Sequence, residues 1–123
     1  MNSIVRNYLI ELARKRSNQI VTYQKLCDDC NLGLDMSNIA DRNEIGRILG
    51  DISKFEHKNN RPLLSAFVLR KGDAYEGDGF YKLAEELGFG YWKKLKRDGV
   101  FEIEQMTEAI EKWSDDNYYL KSR

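Results

Sequence analysis

Between Gln19 and Lys71 the hydrophobic pattern changes period several times, and this succession limits the folds open to the chain. Gln19-Ile20-Val21-Thr22-Tyr23 is β-branched and aromatic, which favours a strand. Thr22 is placed to cap a helix running from Tyr23 to about Cys30. Asn31 to Ala40 carries Gly33 and short polar residues, and reads as a loop. Asp41-Arg42-Asn43-Glu44 then has the form of a capping box, with Asp41 as cap. The helix it opens, to about Lys58, places Ile45, Ile48, Leu49, Ile52 and Phe55 on one face. Leu63 to Leu69 is apolar except for Ser65 and predicts a buried strand after Pro62.

On the N-terminal side, Ile4, Val5, Tyr8, Leu9, Leu12 and Ala13 predict a helix over 3–16. The order helix, strand, helix, helix, strand is that of a winged helix-turn-helix. The expected fold class is therefore α+β and mostly helical: a winged-helix-like domain with a small sheet and extra C-terminal helices. With 123 residues the chain fits one domain. Residues 1–72 are expected to form its winged-helix-like core and 73–123 a helical extension. Gly72, Gly77 and Gly79 mark a loop or hairpin, with Asp78 as cap of a short helix that ends at Gly88. A further helix follows around Tyr91, Trp92 and Leu95. Ile103, Met106, Ile110 and Trp113 make the seam of a last one, from about 102 to 115. Gly46 and Gly50, one turn apart, suggest close packing of the long helix against a neighbouring backbone.

Composition narrows the functional classes. Lysine and arginine balance aspartate and glutamate at 20 each, so the chain is not basic overall. Residues 1–26 nevertheless hold Arg6, Arg14, Lys15, Arg16 and Lys25 against Glu11 alone. Any DNA affinity should then be modest or dimer-dependent. No apolar run approaches the ~18 residues of a membrane span, and Met1 to Arg16 has no signal-like apolar stretch. A cytoplasmic location is expected, with no membrane partner.

Several motifs resemble catalytic or ligand sites without completing one. Cys27-Asp28-Asp29-Cys30 spaces two thiols for a metal, but His57 is the only histidine, and four ligands are needed. Cys27 and Cys30 are expected to be small core residues, reduced in the cytosol. His57 has no nucleophile or carboxylate partner in sequence and suits a helix C-terminus. Glu76-Gly77-Asp78-Gly79 lacks the lysine of a phosphate loop, and its acids repel phosphate. Asp73, Glu76 and Asp78 lack calcium-loop spacing. The expectation is no enzyme, no metal and no cofactor.

Binding residues are easier to nominate. Arg42, Asn43, Arg47 and Lys54 lie mostly off the apolar stripe of the long helix, with Glu44, Asp51 and Glu56 interleaved. Arginine and asparagine in the N-terminal half of a recognition helix pair with base edges in the major groove. Arg70 and Lys71, ending the apolar segment, would reach phosphates from the wing. Tyr91-Trp92-Lys93-Lys94-Leu95-Lys96-Arg97 interleaves aromatics and bases. It suits either nucleic acid or an amphipathic helix with Tyr91, Trp92 and Leu95 buried.

Val21-Thr22-Tyr23 and Ile45-Gly46-Arg47-Ile48-Leu49 resemble the C-terminal domain of O6-alkylguanine-DNA alkyltransferases and alkyltransferase-like proteins, over roughly residues 18–72. The resemblance implies a winged helix-turn-helix, with Tyr23 at the position of the tyrosine beside a flipped nucleotide. Asn43, or Arg42 with one inserted residue, takes the place of the family's arginine. Where the family carries its reactive P-C-H-R segment, this chain has Pro62-Leu63-Leu64-Ser65, so alkyl transfer is not implied. The functional expectation is a non-enzymatic DNA-binding protein, a regulator or accessory factor of bacterial or phage type, acting on double-stranded DNA. The alternative is a protein-binding adaptor or inhibitor on the same scaffold. The two separate on charge. DNA needs Arg42, Arg47, Arg70 and Lys71 on one face free of Asp28, Asp29 and Asp51, whereas mixed signs favour the adaptor.

Overall fold

The computed structural model describes residues 1–69 and 77–123. Seven α-helices and one two-stranded sheet are found among them. They are α1 (Ser3–Ala13), β1 (Val21–Thr22), α2 (Tyr23–Asp29), α3 (Ile39–Lys58), β2 (Val68–Leu69), α4 (Asp78–Glu86), α5 (Trp92–Asp98), α6 (Phe101–Ser114) and α7 (Asp116–Ser122). A 3-10 turn, Leu64–Phe67, precedes β2. The fold is α+β and mostly helical.

Local chemistry starts the helices where side chains meet free N–H groups. Asn2 accepts from Val5 N at 3.0 Å to open α1. Thr22 accepts from Lys25 N at 3.2 Å and caps α2 as expected. The cap of α3 differs from expectation. Asn38 Oδ1 accepts from Ala40 N and Asp41 N at 2.8 and 3.3 Å, so the helix starts three residues before the predicted box. Asp41, inside the first turn, accepts instead from the Asp35 backbone at 2.9 Å. Asp78 is likewise the first residue of α4, and Gly77 takes the cap position. At the far end of α4, Gly88 adopts φ +94°, a conformation that favours glycine.

The expected strand over 63–69 is mostly a 3-10 turn. Only Val68 and Leu69 pair, in parallel with Val21 and Thr22. A sheet two residues long satisfies few backbone groups, and the turn supplies others internally, with Ala66 N donating to Leu63 O at 3.3 Å. Burial alone made this run resemble a strand, since residues 62–68 are all buried.

The main core joins Val5, Leu9 and Leu12 of α1 to Ile45, Leu49 and Ile52 of α3, Leu64 and Phe67 of the turn, and Trp113 of α6. A second cluster joins Leu63 and Ala66 to Phe80, Tyr81 and Ala84 of α4 and Phe101 of α6. Three stripes are rotated from their expected faces. Ile4 is 66% exposed, while Arg6 is buried. Phe55 is 38% exposed, while Ser53 and Glu56 are buried. On α6 Ile103 is 58% exposed, and the buried face runs through Phe101, Glu102, Gln105, Ala109 and Trp113.

Each rotation follows a buried polar contact. Arg6 Nε donates to Glu56 Oε1 at 2.7 Å, and Arg61 Nε donates to the other oxygen of the same carboxylate. Arg6 Nη2 also donates to Ser122 O at 2.9 Å, which ties α1 to the end of α7. Both guanidinium groups lie 5–6 Å from the Phe55 and Trp113 rings: 5.1 and 5.6 Å for Arg6, 5.3 and 5.8 Å for Arg61. Gln105 Oε1 accepts from Leu63 N at 2.8 Å and draws α6 onto the turn.

Candidate nucleic-acid interface

A groove of about 420 Å³ opens between the outer faces of α3 and α4. Tyr23, the first residue of α2, stands on its wall. From α3 come Gly46, Arg47, Leu49, Gly50, Asp51 and Lys54, and from α4 come Gly79, Phe80, Lys82, Leu83 and Glu86. Ser65 lies on the wall where the 3-10 turn passes beneath, its hydroxyl 2.7 Å from that of Ser53.

Of the nominated binding residues, Tyr23, Arg47 and Lys54 therefore share one groove. Arg42 and Asn43 are exposed near the start of α3 and do not line it. Arg42 Nη1 folds back to donate to Met36 O at 3.1 Å. Arg70 and Lys71 lie outside the described residues, as does most of the proposed wing. Lys82, Glu86 and the glycines were missed as site residues in sequence. Lys82 sat in a stretch read only for its apolar spacing.

The electrostatics are mixed. Arg47 Nη2 donates to Glu44 at 2.6 Å, and Nη1 donates to Asp51 at 3.1 Å. The hydrogen bond to Glu44 holds the guanidinium above its ordinary pKa, and the same bond lowers the Glu44 carboxyl. Lys54 Nζ lies 3.5 Å from Glu86, bridging α3 and α4. Asp28 and Asp29, by contrast, stay off the groove. Asp28 accepts from Gln24 at 2.8 Å. Asp29 accepts from Tyr8 at 2.6 Å and pairs with Lys25 at 3.1 Å. The Tyr8 and Lys25 hydrogen bonds lower the Asp29 carboxyl. The single basic face is therefore not assembled among the described residues: Arg42 lies off the groove, Asp51 pairs with Arg47, and the mixed signs are those expected of the adaptor.

Among the described residues, none packs against Gly46 or Gly50 as expected: beyond its chain neighbours and its own helix backbone, a Cβ at either position meets no described atom within 4 Å. Leu63 is fully buried, its N–H donating to Gln105 of α6, and does not line the groove.

The remaining motifs separate from this site. Cys27 and Cys30 are buried free thiols. Burial pushes Cys27 up to about 11 and raises Cys30 as well. His57, in the last turn of α3, meets the Phe89 ring edge-on at 5.1 Å. Among the described residues no three His, Cys, Asp or Glu side chains gather as metal ligands. No described helix is long and apolar enough to cross a membrane. On α5, Trp92 and Leu95 are half-buried against the second cluster, as an amphipathic helix requires, whereas Tyr91 is exposed. The Lys82 and Lys93 ammonium groups lie 5.0 and 5.6 Å from the Trp92 ring.

The chain matches no family model, no curated protein and no solved structure.

Proposed function

We propose that this chain is a non-enzymatic DNA-binding module of winged-helix type, with the α3–α4 groove as part of its DNA-facing surface. One observation carries the reading. Tyr23, Arg47 and Lys54, nominated from two separate segments of sequence, line the same groove, and Lys82 joins them from a third.

The acids limit the affinity. A phosphate approaching Arg47 must displace Glu44 and Asp51. Exposed ion pairs are worth about 0–1 kcal/mol each, so the clamp weakens DNA binding without preventing it. Binding is therefore modest. The test is a shift assay on short mixed-sequence duplex DNA across a salt series. Arg47→Ala weakens binding by about 1–3 kcal/mol. Loss of no affinity in Arg47→Ala and Lys54→Ala together rejects the groove as the DNA surface.

The alternation of sign along the rim, Arg47, Asp51, Lys54, favours a second reading, a protein-binding adaptor with a partner of mixed charge. A folded chain that ignores duplex DNA at low salt selects that reading.

A further inference from the structure

Tyr91-Trp92-Lys93-Lys94 opens α5 outside the groove, and the fold brings Lys82 of α4 to the same place. The Lys82 and Lys93 ammonium groups gather at one Trp92 ring, and their mutual repulsion favours an anion beside them. Yet none of Lys82, Lys93 and Lys94 forms an ion pair with a described residue. The acids of α4 and α5 are engaged elsewhere. Asp78 pairs with Lys96, Glu86 with Lys54 and Asp98 with Arg97, while Glu85 accepts from Trp92 N at 3.2 Å. In the groove Arg47 and Lys54 already hold acids, whereas here three exposed cations hold none among the described residues. An exposed ring stands next to them. Tyr91 is 56% exposed and meets no other ring or cation among the described residues. Its place is fixed, because its carbonyl accepts from Lys94 N and Leu95 N, both at 3.1 Å.

We infer that the start of α5, together with Lys82, is a site for a single strand of DNA. A base stacks on Tyr91, and the flanking phosphates lie against Lys82, Lys93 and Lys94. A fixed, open aromatic face beside free ammonium groups is the pairing that unpaired strands use, whereas an acidic peptide needs the charges and not the ring. Lys82 also lines the α3–α4 groove, so a strand parted from a duplex held there runs onto this patch. The choice of DNA over RNA rests on the duplex-binding reading; the site itself does not.

The experiment is the fluorescence anisotropy of a labelled oligothymidylate, about eight nucleotides long, titrated with the full chain. Tyr91→Ala weakens binding about tenfold through the lost stack. Lys93→Gln with Lys94→Gln flattens the slope of log affinity against log salt by about 1.4, the share of two phosphates on a single strand. Lys121→Gln, which removes an exposed cation of α7, leaves the affinity unchanged. All these side chains are exposed, and the helical spectrum of each variant stays that of the unaltered chain. Duplex binding is retained in the same variants, since none of the four residues lines the groove. If Tyr91→Ala binds undiminished, or polyglutamate competes as well as the unlabelled strand, the patch takes an anion without a base and the proposal is wrong. Tighter binding of oligouridylate overturns the assignment to DNA. A chain that binds duplex but no oligothymidylate rejects this site alone. A chain that binds oligothymidylate through Tyr91 but no duplex keeps the site and rejects the groove reading.

Discussion

Glu56 shows how much one residue can decide. It is fully buried at the centre of a triad, holding Arg6 from α1 and Arg61 from the segment after α3. Two cations sharing one carboxylate leave an uncompensated buried charge if the acid is removed. Glu56→Ala should therefore cost about 3–5 kcal/mol, measured by urea denaturation. A loss below 1 kcal/mol would mean that water reaches the pair. The thiols give a second residue-scale prediction. With Cys27 raised to about 11, the folded chain keeps it neutral where an unfolded thiol ionises. A folded pKa above the unfolded one adds stability that is fully present below pH 9, by about the ordinary thiol value, and is lost as pH rises towards 11. Alkylation of Cys27 by iodoacetamide near pH 8 should be slow and should accelerate only with denaturant. Rapid modification of the folded chain would contradict its burial.

Elements were legible where side chains alone set them, and less so where polar burial intervened. Thr22 announced α2, and the apolar spacing of Ile45, Ile48, Leu49 and Ile52 announced α3. The start of α3 was misplaced because Asn38 and Asp41 are both good caps, and only the fold engages Asp41 with the Asp35 backbone. Faces were rotated on α1, α3 and α6 because Arg6, Glu56 and Gln105 are buried, which apolar spacing cannot reveal. The groove was only half visible. Its cations could be named, but the partnership of Arg47 with Glu44 and Asp51 is a property of the folded surface. At this scale α3 should dominate stability. Ile52→Ala, fully buried, should cost about 2–5 kcal/mol, and the partly exposed Phe55→Ala distinctly less. Equal losses would show that Phe55 anchors the helix after all. Asn38→Ala should cost about 1 kcal/mol through the lost cap.

Over the whole molecule, balanced charge and a local groove together define the proposed activity. A neutral chain gathers few phosphates, and the acids beside Arg47 set the strength of the contact. Asp51→Asn removes one of those acids while keeping the shape of the side chain. It should tighten duplex binding, where a merely structural ion pair would leave affinity unchanged. The most direct test of the central claim is the binding of duplex DNA to the full chain as a function of salt. Measurable binding at low salt is expected, with a slope of log affinity against log salt of about −2 to −4 per protomer. A folded chain that shows no binding at the lowest salt would contradict it.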